Sequence, residues 1–261
     1  MKKGDILWTK EQLLLAINLY SKIPFGQMHH RNPAIIDLAQ MIGRTPDAVT
    51  FKLVNFASLD PRLKQKGMSK VSELDRSVWS GYMNNWDEVF IEGEKLLAAK
   101  KNITLEKLYN INLDDFQEKD GKEVLRLVKV RLNQEMFRGA VLTNFDNKCC
   151  ITGIGITELI VASHIAPWSS DNHNRLNPRN GLALNNLHDK AFDKHLITVT
   201  NDLQIRISPR FFKFKDILSI KQNFIDYDGK SLIAPKKFYP DADFLKMHND
   251  KFAAKCSLIS D

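Results

Sequence analysis

The sequence predicts an α+β protein, with an all-helical N-terminal domain over residues 1–118 and a mixed domain over residues 119–261. Three observations lead there. Helix caps followed by apolar residues at spacings of three and four run through the N-terminal third. Beyond Cys149 the elements shorten and sustained helical periodicity disappears. Between these regions, Lys100 to Lys122 is polar and ends in Glu118-Lys119-Asp120-Gly121-Lys122, which marks a domain boundary.

The first helix follows from Thr9 and Gln12, which make a capping box before Leu13, Ile17 and Tyr20 recur at helical spacing. A second starts at Asn32-Pro33, carries Ile35, Leu38, Ala39 and Ile42 on one face, and stops at Gly43. Thr45-Pro46 supplies a cap and a first-turn proline for a third, through about Ala57, with Val49, Leu53 and Phe56 on its core side. Two short helices joined by a glycine turn make a helix-turn-helix-like pair. Arg62 to Lys70 holds four basic residues and no acidic one, as a solvated loop or a phosphate contact would. Trp79, Tyr82, Trp86 and Phe90 then recur at spacings of three and four, which reads as core. In the second domain, Val128, Val130 and Leu132 alternate with Lys129 and Arg131 as in a strand, and Asn133 to Phe145 is helical. Leu159 to Ala162 reads as a buried strand running into Ser163-His164. A polar loop with Pro167, Trp168 and Pro178 follows, then a strand at Gly181 to Leu184, a helix from about Asn186, and a strand near Leu196 to Val199.

At 261 residues and 43% hydrophobic content the chain can bury its own cores without disulfides or a structural metal. No apolar run approaches the roughly 20 residues that span a bilayer, so no membrane partner is expected. Met1-Lys2-Lys3-Gly4-Asp5 precedes too short an apolar stretch for a signal peptide, and three cysteines make no disulfide framework, so a cytoplasmic location is expected. The net charge of +7 permits a polyanionic partner. Residues 121–215 hold 14 Lys/Arg against 8 Asp/Glu, so most of the excess lies in the second domain.

Three polar residues sit at the joints of the strand–loop–strand–helix unit. His164 ends the first strand, Asn180 precedes the second, and His188 opens the helix. Together with Cys150-Ile151-Thr152-Gly153, Val161 to Trp168, Asn177 to Leu182 and Leu187 to Asp193, they resemble the HNH nuclease family, whose catalytic unit is a ββα-metal hairpin and helix. The resemblance runs from about Gln134 to Val199 and points to the branch found in bacterial restriction-type endonucleases. Gly43 to Val49 and Asn55 to Pro61 also resemble the region preceding the nuclease in some of those proteins, which is a less specific likeness.

The resemblance implies a metal-dependent endonuclease acting on double-stranded DNA, in a restriction or defence role. Phosphodiester hydrolysis needs a deprotonated water, and the family role of general base falls on His164. Asn180 takes the role of fixing the loop that carries the base. His188, with Asp189, is expected to hold a divalent ion such as Mg²⁺, Mn²⁺ or Ni²⁺, which stabilises the leaving oxygen. The chain departs from the family where many members carry an acidic residue or histidine just before the base, since Val161-Ala162-Ser163 stands there. It also lacks paired Cys-x-x-Cys motifs, so no structural zinc is expected.

Arg175, Arg179 and Lys190 flank the motif as candidate DNA phosphate contacts, and Arg44 and Lys52 are the candidates in the first domain. Thr50, Lys52 and Asn55 can face a major groove, but Phe51 and Val54 make a second apolar face, so the third helix serves either base reading or interdomain or dimer packing. Asp193 reads as a helix-end acceptor or as a partner for nearby cations. His29-His30 resembles a metal pair without further ligands nearby and reads rather as a solvated loop, while His173, His195 and His248 read as surface or packing residues. One catalytic unit cuts one strand, so a double-strand break requires a homodimer or sequential action. The rival from another class is a DNA-binding regulator that keeps the nuclease scaffold without cleaving.

Overall fold

Local capping signals set the helices of the N-terminal half. The computed structural model describes residues 7–60, 71–112, 121–167 and 176–257. Helix α1 (Lys10–Lys22) begins at Thr9, whose hydroxyl accepts the Gln12 N–H while the Gln12 side chain accepts the Thr9 N–H. Asn32 caps α2 (Pro33–Ile42), which ends at Gly43 with φ +66°, a conformation that favours glycine. Thr45 caps α3 (Pro46–Leu59). A Ser72–Asp75 capping box starts α4 (Glu73–Asn84), and α5 (Trp86–Lys100) and the short α6 (Leu105–Leu108) follow.

Helix α1 packs against α3, α4 and α5. The seam is aromatic. Tyr20 meets Trp79 edge-on at 5.8 Å, and Tyr82, Trp86 and Phe90 continue the series, with Trp86 and Phe90 at 4.7 Å. All are buried, as expected of core. Polar groups are paired inside it as well. Asn18 donates to Glu94 at 2.6 Å, and Lys22 pairs with the same carboxylate.

Two expectations for this unit are corrected. Lys52 does not face solvent as a groove-reading residue. It is 8% exposed, and its ammonium contacts both carboxylate oxygens of Asp75 at 2.8 and 2.9 Å. Arg44 is half-buried, donating to the Leu7 carbonyl and the Gln12 side chain and lying over the Trp8 ring. The outward residue of α3 is Phe51, 53% exposed.

The strand expected at Val128 to Leu132 is instead part of α7 (Gly121–Asn144). Val128, Leu132, Met136 and Ala140 recur every fourth residue and are all buried, whereas Val130 stays exposed. The helical period therefore governs burial, and the alternation with Lys129 and Arg131 was a coincidence of short range.

The chain forms two compact units, Met1–Met136 and Phe137–Asp261, with the division inside α7. The stretch 113–120, which carried the expected boundary, and the basic loop 62–70 lie outside the described residues. No helix among the described residues is long and apolar enough to cross a membrane.

In the second unit β1 (Ile160–His164) and β2 (Gly181–Asn185) form an antiparallel pair, with Ile160 opposite Asn185 and His164 opposite Gly181. Helix α8 (Asn186–Asp193) leaves β2 directly and packs on both strands. A second hairpin, β3 (Ile197–Val199) and β4 (Ile205–Ile207), follows. Then come α9 (Leu218–Asn223) and α10 (Ala242–Ser257), the latter packed on β3. The N–H of Cys150 donates to Ala183 and its carbonyl accepts from Ile233, which ties the 149–153 turn and the 231–233 segment to β2. The C-terminal part of α7 completes this core. Its approach to β2 is closest at Gly181, where a β-carbon would lie 2.3 Å from Val141 Cγ2 and 2.8 Å from Phe137 Cζ.

Gly181→Ala is accordingly expected to cost about 1–3 kcal/mol of stability through overpacking, read as a lower urea midpoint. Lys52→Ala leaves the Asp75 carboxylate buried without its cation and is expected to cost about 3 kcal/mol. A Lys52→Ala chain with unchanged stability and weakened DNA binding would restore the groove-reading role.

Candidate active site

The site is built where β1 ends. His164, its last residue, stacks on Phe137 of α7, with ring centroids 3.8 Å apart and planes 11° from parallel. Asn180 holds the residues immediately after it. The Ala166 N–H donates to Asn180 Oδ1 at 2.7 Å, Asn180 Nδ2 donates to the Ala166 carbonyl at 3.3 Å, and the Ile165 N–H donates to the Asn180 carbonyl at 2.9 Å. Asn180 is 2% exposed, so these bonds face no competition from bulk water. The imidazole is thus fixed by a ring on one side and by a clamped backbone beyond it.

Helix α8 follows, capped by Asn185, whose side chain accepts the His188 N–H. Successive residues on a helix point about 100° apart, and this sends His188 and Asp189 to different surroundings. His188 is 1% exposed. Its Nε2 lies 2.6 Å from the Asn223 carbonyl and its Nδ1 3.9 Å from Cys149 Sγ, while Phe224 and Tyr227 meet the ring edge-on. The sequence reading assigns His188 to the ion; here its ring is buried with Nε2 against the Asn223 carbonyl and Nδ1 toward Cys149. Burial raises the Cys149 thiol pKa, but His188, Thr152 and nearby backbone outweigh that and bring it to about 7.

Asp189 faces the other way. It shares a cleft of about 540 Å³ with Ser163, His164, Lys190, Asp193, Lys194, His195 and His248. Burial raises its carboxyl above the ordinary value, and Asp193 adds to the rise, while Ser163 and Lys190 oppose it. The buried Ser163 hydroxyl lies beside that carboxylate and holds its pKa down. A carboxylate destabilised by burial, with a hydroxyl beside it in an open cleft, is a donor set that a divalent cation could use. Among the described residues no three His, Cys, Asp or Glu side chains are grouped closely enough to hold a metal by themselves. Waters and substrate phosphate would complete the shell.

The cleft also holds His195 and His248, which the sequence reads as surface or packing residues. His195 sits just beyond α8 with φ +49°, a left-handed conformation uncommon outside glycine. Its Nδ1 lies 3.1 Å from His248 Nε2. His248 stacks on Phe192 at 3.7 Å, and its Nδ1 lies 2.8 Å from the Thr198 hydroxyl, which donates to Asn249. The helix end at Asp193-Lys194 was a readable signal for His195. His248 lies 53 residues further along on α10, so nothing local announces it.

Of the expected phosphate contacts, Lys190 is exposed at the cleft, whereas Arg179 is buried just before Asn180. Arg175, Trp168 and His173 lie outside the described residues.

Residues 149–200 match the model of the HNH endonuclease family. The matched stretch takes in β1, β2, α8 and β3, and with them His164, Asn180, Asp189 and His195. Comparison with curated proteins gives no match. The matched segment begins at the Cys149 turn and leaves α7, which supplies Phe137, outside it.

Burial pushes His248 of this unit down to about 4, helped by His195 and Lys251 and opposed by the Phe192 carbonyl. Because the folded value lies below the ordinary 6.5, the unfolded chain binds the extra proton more readily. This contribution to stability is complete above about pH 6.5 and is lost as pH falls toward 4, on the order of 2–3 kcal/mol. Melting temperatures from pH 7.5 to 4 are expected to fall less in His248→Gln than in the wild-type chain. Parallel curves would show that His248 is not the group responsible.

Proposed function

We propose that the chain is a metal-dependent DNA endonuclease in which the helical domain positions DNA and the basic second domain cuts it. The observation that carries this reading is the joint exposure of His164 and Asp189 to one cleft, with Asn180 clamping the backbone beyond His164. A ring nitrogen of His164 accepts a proton from water as the water oxygen bonds to phosphorus and the leaving oxygen departs. The stack on Phe137 limits the ring's rotation, so the acceptor nitrogen stays aimed. Asp189, rather than His188, is the protein ligand for the divalent ion. That ion supplies Lewis-acid stabilisation of charge on the phosphate and leaving oxygens. Lys190 at the cleft takes a neighbouring phosphate.

A restriction or defence role rests on the resemblance of residues 43–61 and 134–199 to bacterial restriction-type enzymes. The reading as a non-cleaving DNA-binding regulator has one observation in its favour, the sparse set of protein ligands among the described residues.

A supercoiled-plasmid assay with and without metal decides between them. His164→Ala is expected to keep DNA binding and lose cleavage by at least about a hundredfold. Asp189→Asn is expected to raise the metal concentration required, with Mn²⁺ or Ni²⁺ supporting at least the rate seen with Mg²⁺. Full cleavage in excess chelator, or wild-type rates in His164→Ala, would exclude this mechanism.

A further inference from the structure

The segment Pro209–Asn223 carries features that the cleavage chemistry does not use. Phe212, Phe214, Ile217 and Leu218 are 47, 54, 49 and 64% exposed, although each is large and apolar. Around them are Arg210, Lys213, Lys215 and Lys221 against the single acid Asp216. The backbone that presents them is not loose. Pro209–Phe214 forms a 3₁₀ turn capped by Ser208, and α9 packs on it. Phe211 turns inward and stacks on Phe224 at 4.2 Å, and Phe224 meets His188 edge-on at 5.3 Å. The Asn223 carbonyl accepts from His188 Nε2 at 2.6 Å. The segment is therefore pinned to α8, the helix that presents Asp189 to the cleft.

We propose that this segment is a DNA-contacting surface that stacks unpaired or unstacked bases on Phe212 and Phe214 while Arg210, Lys213 and Lys215 hold the adjoining phosphates. Charge decides the occupant. Exposed rings interleaved with cations match a single-stranded or locally opened nucleic acid, whose bases offer apolar faces and whose backbone offers anions. A fully paired duplex hides its base faces and answers only the cations. A second copy of the chain would set like charges against each other across a symmetric contact. α9 has six residues, too short to lie in a lipid interface as an amphipathic helix does. This inference rests on the nuclease reading for the identity of the polymer.

The test uses the full chain carrying His164→Ala, so that DNA is bound without being cut. Affinities are measured by fluorescence anisotropy for a single strand, a mismatched duplex and a fully paired duplex, with 2-aminopurine reporting unstacking. Phe212→Ser/Phe214→Ser is expected to weaken the first two by at least about tenfold and the paired duplex by under about threefold. Because both rings are exposed, the variant should keep its far-ultraviolet circular dichroism and melting temperature. Lys213→Glu/Lys215→Glu should weaken all three and flatten the salt dependence. Unchanged affinities, an equal loss on all three substrates, or a change only in oligomeric state or vesicle binding would overturn the surface. Cleavage by the wild-type chain with ring-independent binding sinks this inference alone. Ring-dependent binding without cleavage by the wild-type chain sinks the nuclease reading alone.

Discussion

At Gly181 the end of α7 lies so near β2 that a single added methyl group would collide with Val141 and Phe137. Much of the candidate site depends on that approach. The residue opposite Gly181 in the hairpin is His164, and the ring that fills the space beside Gly181 is the one on which His164 stacks. Asn180, the neighbour before Gly181, clamps Ala166. One missing side chain therefore lets a helix approach a strand, and that packing sets the position of an imidazole. Dispersion and overlap forces are steep at these distances, so the position is held more tightly than hydrogen bonds alone would hold it.

What the sequence made legible was mostly local. Caps such as Thr9 with Gln12, Asn32 with Pro33, and Thr45 with Pro46 are written within a few residues, and each helix begins where they stand. The ββα unit was legible for the same reason. Its strands are short apolar runs bounded by polar joints, and the family resemblance fell on those joints. The α7 misreading shows the limit. Three alternating residues fit a strand, but Val128, Leu132, Met136 and Ala140 obey a longer period that only a wider window reveals. Lys52 was misread because its partner Asp75 stands 23 positions away, and nothing near Lys52 foretells it.

The site shows a finer version of this limit. Sequence reading named both His188 and Asp189, and the two are adjacent. Which of them meets the cleft depends on the rotational phase of α8, and that phase is set by Ala191 and Phe192 packing into the core. The result is an arrangement of opposed tendencies. Burial disfavours charge on Asp189 and disfavours protonation of His195 and His248. A cleft lined in this way is short of positive charge at its centre while cations stand at Lys190 and Lys194 on its rim. A polyanion is drawn toward the edge and a small cation toward the middle.

The inward turn of His188 changes what the third letter of the HNH signature means in this chain. Its ring is hydrogen-bonded to a carbonyl, lies 3.9 Å from a thiol and packs against two aromatic rings, so its side chain is demanded by the architecture whether or not a phosphodiester is ever cut. A relative in which the cleft changed altogether would still be under pressure to keep it. Retention of that histidine across a lineage would then report on folding, whereas its neighbour at position 189, which faces the cleft, is under no such packing demand.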